Sequence, residues 1–172
     1  MTSLQDMSPE QVSRALAYAG FVMVGYELMK GMIVRPIKSF YANTKFGEGM
    51  PFKSYEEDVK PRPKKEFEAC LYYLRDFMEA IGSADVITIL SFRNHRNDMA
   101  HELPQRLPEL RIEEHQALFK EVDRTLFKLS NYCAYMEIGS DPEFQDIDWR
   151  TAIGHEYLIF REVVDKVKLL AL

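Results

Sequence analysis

The sequence is poor in cysteine, with 2 in 172 residues. Two thiols exclude a disulfide framework, and both, Cys70 and Cys133, fall on apolar, helix-spaced stretches where a free thiol packs as a small hydrophobe. Long hydrophobic runs are also missing. The most apolar stretch, Ala15 to Tyr26, breaks off at Glu27, well short of the roughly 20 residues that span a bilayer. No membrane association is expected. No secretory leader pattern is read at the start, so a cytoplasmic, reducing location is expected. There is no glycine-rich phosphate loop, no nucleophile in a recognisable motif, no internal repeat and no low-complexity segment. Glu-x-x-His, on which di-metal carboxylate bundles depend, is absent as well: Ile112 precedes His115 by three residues and Ala152 precedes His155. His95, Asp98, His101 and Glu102 supply one Asp-x-x-His pair, too few ligands for such a centre. A metal-binding helical bundle is therefore the least favoured reading, and no metal and no cofactor are expected.

What is present is ample apolar material. Hydrophobic residues make up 47% of the chain, enough to bury a core, and the length suits one helical domain over residues 1–172. The net charge is −5, which by itself does not point to nucleic acid. The charge is uneven, however. Residues Arg35 to Lys65 hold eight Lys/Arg against four Asp/Glu, a net of +4, so the rest carries −9.

Periodicity reads as helix throughout. Ser8, Pro9 and Gln11 form a start signal, and a nearly all-apolar helix is expected from there to about Val34, ended by Pro36. Gly20 and Gly25 lie within it, at positions where glycine either permits close helix approach or simply lowers helix stability. A second helix is expected from about Lys64 to Ile81, carrying Phe67, Cys70, Leu71, Leu74, Phe77, Met78 and Ile81 at the 3.6 period. Gly82 closes it and Ser83 caps a third, from about Ala84 to Glu102, stopped by Pro104 and Pro108. A fourth, from about Ile112 to Ile138, has a seam of Phe119, Val122, Leu126, Leu129, Cys133 and Met136. His115 extends that seam and is expected as a satisfied core residue. A fifth spans about Trp149 to Leu170. The expected fold is all-α: an antiparallel up-and-down bundle of about five helices with one long loop, about 35–63. That loop interleaves Phe40, Tyr41, Phe46, Phe52 and Tyr55 with Lys38, Lys45 and Lys53. Either its aromatics pin it to the bundle with the lysines facing water, or rings and lysines together hold bases and phosphates of RNA.

The most informative stretch is Phe92 to Leu103, FRNHRNDMAHEL, where arginine, asparagine and histidine crowd together. The helical face Ile89, Phe92, Arg96, Met99, Leu103 is apolar except for its central arginine. A guanidinium on a face meant for burial needs a partner carboxylate, a wet interface or a ligand phosphate. Asn94, Asn97, Asp98 and His101 form a polar stripe beside it. Arg96 and His101 point about 140° apart at 100° per residue. One helix does not clasp a ligand between them, whereas two copies packed by symmetry can.

Arg96-Asn97-Asp98-Met99-Ala100-His101 resembles the Arg-x4-6-His motif of the HEPN superfamily, including the polar residue that the family favours after the arginine. The resemblance implies a small helical bundle, a homodimer, and in many members a metal-independent ribonuclease of toxin–antitoxin or other prokaryotic defence systems, with an antitoxin or regulator as partner. A tyrosine modified in one toxin subset has no counterpart, since that position is Leu103. On this reading Arg96 and His101 are catalytic. The chemistry fits their types: a guanidinium fork holds a phosphorane and an imidazole moves protons near neutrality. Asn97, Arg93 and His95 are expected in support. The alternative is a non-catalytic helical dimerisation or nucleotide- or RNA-binding module. There Arg96 is tied up in an ion pair with a carboxylate of another helix, and His101 is a helix C-terminal cap.

Overall fold

The computed structural model describes residues 4–62, 65–139 and 141–172. Among them are six α-helices, four short 3-10 turns and no strand. The helices are α1 (Pro9–Asn43), α2 (Tyr55–Asp58), α3 (Glu66–Asp76), α4 (Ser83–Arg106), α5 (Gln116–Ile138) and α6 (His155–Leu170). The 3-10 turns are Leu4–Asp6, Leu107–Glu109, Ile112–His115 and Pro142–Phe144. The chain is all-α, with one helix more than expected because α2 forms inside the long connection.

α1 begins as its sequence signal requires. Ser8 Oγ accepts the Gln11 amide at 3.2 Å and Gln11 Oε1 accepts the Ser8 amide at 2.8 Å, which satisfies two donors that the first turn leaves free. Its end differs from expectation. The helix runs through Pro36 to Asn43. Proline removes one N–H and costs a helix interior about 3 kcal/mol, but Ile33, Val34 and Ile37 are buried on either side of it, and that burial outweighs the local cost. α1 packs against α3, α4, α5 and α6. Gly25 is the point of closest approach: a Cβ there would meet Phe92 of α4 at 3.4 Å and Phe160 of α6 at 3.5 Å. Gly20 has nothing within 4 Å and faces open space. By length and composition α1 could cross a membrane, while 50% of its most apolar stretch is buried inside the protein.

The connection after α1 covers 44–65 and is interrupted by α2. The expected boundary at Pro63 and Lys64 lies outside the described residues. The loop is fastened by rings. Phe40 contacts Phe52 at 4.9 Å and Phe46 at 5.5 Å, and Phe52 reaches Phe77 at 5.6 Å. The Tyr41 hydroxyl donates to Asp58 at 2.8 Å.

α3 stops at Asp76, short of the expected Ile81. Glu79 takes a left-handed φ of 52°, and the Ala80 amide turns back to the Leu74 carbonyl at 2.9 Å. Ala80 and Ile81 remain buried, so the apolar period outlasts the helix. Gly82, not Ser83, is the N-cap of α4. The cap is completed by Asp85, whose buried carboxylate accepts the Gly82 amide at 2.8 Å, the Thr125 hydroxyl at 3.1 Å and the Lys128 ammonium at 2.7 Å. α4 also outruns its expected stop: Pro104 lies inside the last turn. The carbonyl it leaves without an N–H belongs to exposed Ala100, where water can serve. α5 buries Phe119, Val122, Leu126 and Leu129, but its seam ends there, since Met136 is 48% exposed. α6 starts at His155 rather than Trp149. The segment before it is tied to α5 by Asn131, which donates to the Trp149 and Ala152 carbonyls, and by Ser130, which accepts the Gly154 amide at 2.7 Å.

Candidate functional site

α4 carries the motif between α1, α3 and α5. Ile89, Phe92 and Met99 are buried along it, and Arg96 occupies the same face as a half-buried interruption. Its side chain is 29% exposed. The guanidinium carbon lies 5.0 Å from the Tyr26 ring centroid of α1. Nη1 donates to Asn97 Oδ1 at 3.2 Å. The nearest carboxylate is Glu27 at 3.9 Å, itself 59% exposed, so the pair is long and solvent-screened. Nε is buried with no hydrogen-bond partner. Arg96 is thus held in place by an aromatic face and a neighbouring amide, and its charge is not cancelled by an internal acid.

Arg93, one turn earlier, differs. It forms an ion pair with Glu68 of α3, both side chains being mostly buried. Asn97 accepts a hydrogen bond from Arg96.

His101 is exposed and makes no side-chain hydrogen bond or ion pair among the described residues. Because α4 continues to Arg106, His101 is not in the final turn, where a C-terminal cap would stand. Arg106 occupies that end and reaches Asp98 at 3.3 Å and Glu102 at 2.8 Å.

His95 faces the core, not the Arg96 side. It is 8% exposed, and its Nε2 shares a 2.7 Å hydrogen bond with the Tyr18 hydroxyl. The His115 ring lies 4.2 Å away, and Tyr18 stacks on His115 at 5.9 Å. Burial, then His115 and Arg106, push the His95 imidazole down to about 4, so it is neutral at physiological pH. Burial also lowers His115, opposed by Glu114 and assisted by Arg106. His115, expected as a satisfied core residue, is instead half-buried at the end of the 3-10 turn Ile112–His115 and meets the group through ring contacts. The Tyr18–His95–His115 group as a whole was not legible from spacing. It joins three separate elements, and only the position of Tyr18 on a nearly all-apolar helix hinted at a buried polar partner.

Of the loop lysines, Lys38 pairs with Glu66 at 2.9 Å. Lys45 and Lys53 are exposed. Among the described residues no group of three or more His, Cys, Asp or Glu is placed to hold a metal ion, and Asp98 and Glu102 both engage Arg106 instead. No family model matches this chain, and neither a curated protein nor a solved structure matches it.

Proposed function

We propose that the chain is a HEPN-like, up-and-down helical protein of the prokaryotic cytoplasm that acts as a homodimer to cleave RNA without a metal. The observation that carries this reading is Arg96: a cation on a buried face, with an unpartnered Nε and a single long ion pair, at 3.9 Å, to the exposed Glu27 of α1. A charge kept there with only a long, solvent-screened counter-charge is a cost that phosphate binding would offset.

In this reading the ribose 2′-oxygen attacks the adjacent phosphorus, the bond to the 5′-oxygen breaks, and a 2′,3′-cyclic phosphate and a 5′-hydroxyl result. Arg96 stabilises the charge of the pentacoordinate phosphorane. His101 exchanges protons. One imidazole removes the 2′-proton, and the His101 of a second copy protonates the leaving oxygen. Two copies are required because Arg96 and His101 diverge by about 140° on one helix. Asn97 orients the guanidinium. Lys45 and Lys53 extend the contact along the RNA backbone; Arg93 and Lys38, already paired to acids, contribute less. An antitoxin or other regulator fits the same defence setting.

A non-catalytic nucleotide- or RNA-binding module is favoured by one observation: among the described residues no side chain hydrogen-bonds or ion-pairs with His101. The deciding experiment measures RNA cleavage in EDTA by wild type, Arg96→Ala and His101→Ala, with folding checked by circular dichroism and mass by sedimentation. Cleavage by a dimer, lowered about 100-fold or more in each folded variant, supports the assignment. Variants equal to wild type remove both roles. Salt-sensitive RNA binding without cleavage by wild type selects the module instead.

A further inference from the structure

At the other end of α1 the helix forms one wall of an apolar cavity. Pro36, Ile37 and Phe40 of α1 face Tyr132, Cys133 and Met136 of α5 across a space of about 270 Å³. An adjoining space of about 220 Å³ opens toward the start of α6 and shares Pro36, Cys133 and Glu137 with the first. Joined, the two fall within the roughly 300–1,000 Å³ of small-molecule sites.

The charges around this groove have one dominant sign. No lysine or arginine lines either part, while Glu137 lines both and Glu156 lines the second. Glu156 is paired with Arg35 at 2.6 Å. Glu137 has no ion-pair partner among the described residues. The field of the two carboxylates is felt inside the groove: after burial, Glu137 and Glu156 are what push the Cys133 thiol up, to about 11. The backbone adds an acceptor. Pro36 has no N–H to offer the Met32 carbonyl on the same stretch of α1. The Phe40 and Tyr132 rings provide π faces that favour a cation.

We propose that this groove binds a small amphipathic organic cation, its aromatic or aliphatic body among Ile37, Phe40, Tyr132 and Met136 and its ammonium group at Glu137. The ligand class follows from the combination of apolar walls, the Glu137 carboxylate and the absence of lysine and arginine from the lining, where His155 is the one basic type. The site is distinct from Arg96 and His101 and does not depend on the chain being a nuclease.

The test uses three probes with one body and different charge: 4-phenylbutylamine, 4-phenylbutan-1-ol and 4-phenylbutyrate. Each is titrated calorimetrically into the full chain at neutral pH. The amine binds most tightly, the alcohol more weakly and the acid least. Glu137→Gln lowers amine affinity about 5- to 20-fold, toward that of the alcohol, and leaves the alcohol unchanged. Met136→Trp, at an exposed position that fills the groove, abolishes binding of both while the thermal melt stays cooperative. The amine also slows alkylation of Cys133 by N-ethylmaleimide, which locates it. Acid binding as tight as the amine, an unchanged amine affinity in Glu137→Gln, or no binding of the amine up to millimolar concentration each overturns the proposal.

Discussion

The Tyr18 hydroxyl and His95 Nε2 share a hydrogen bond of 2.7 Å inside the protein, with the His115 ring stacked on Tyr18 and tilted against His95. It joins α1 to α4 at the end of the molecule opposite Pro36, and it uses the one histidine of the motif segment that does not face outward.

The burial of His95 makes stability depend on pH. His95 has an ordinary value of 6.5 and is held down to about 4 in the folded chain by burial, His115 and Arg106. The unfolded chain therefore takes up the proton first as pH falls. The associated stability is fully present above 6.5 and is lost progressively down to about 4. The gap corresponds to about 3 kcal/mol. Urea unfolding at pH 7, 6, 5 and 4 should show this slope in wild type and a shallower one in His95→Gln. Equal slopes would mean that the imidazole is not the group responsible. Tyr18→Phe should cost about 1–2 kcal/mol at pH 7 by removing the hydroxyl partner.

Arg93 and Arg96 should separate in a stability assay. Arg93→Ala breaks a mostly buried ion pair with Glu68 and should cost about 2 kcal/mol, much of it from the carboxylate left behind. Arg96→Ala loses a ring contact and a long, exposed pair and should cost about 1 kcal/mol or less. Thermal melts of the two variants give the comparison. A larger loss for Arg96 would identify it as a structural residue.

Asp85 holds the start of α4 to α5 through Gly82, Thr125 and Lys128. Burial acts to raise its carboxyl, but the Lys128 ammonium, the Gly82 amide and the Thr125 hydroxyl together hold it below its ordinary value of 3.8. Its contribution is present above 3.8 and lost as pH falls below that. Asp85→Asn should lower stability at pH 7 by about 2 kcal/mol, and chemical denaturation would show whether Thr125→Val reproduces part of that loss.

Substitutions at Gly20 and Gly25 of α1 should respond with opposite signs. Gly20→Ala adds a methyl in open space and should raise stability by about 0.5–1 kcal/mol. At Gly25 the Phe92 and Phe160 rings stand at 3.4 and 3.5 Å from a new Cβ. Leucine there has no room and should cost several kcal/mol. A tolerated Gly25→Leu would show that these rings yield.

Helix identity was legible because burial follows the 3.6 period over Phe67 to Leu74 and over Phe119 to Leu129. Helix ends were not. Pro36 and Pro104 read as stops by local rules, but burial around Pro36 and solvent beside Ala100 make both tolerable. The α3 end was hidden because Ala80 and Ile81 stay buried after the helix has stopped. At the candidate site, the oddity of Arg96 was readable from an apolar face with one cation in it. The inward turn of His95 was not, because its partner Tyr18 lies 77 residues away.

The ring-fastened connection over 44–65 has a consequence for a severed chain. Lys45 and Lys53 are exposed there, and neither is followed by proline, so trypsin should nick the segment first. The released N-terminal piece keeps α1, which remains surrounded by α3, α4, α5 and α6. Two fragments should then travel together on a native sizing column and part only in denaturant, giving a protein that can be divided and reassembled around its longest helix.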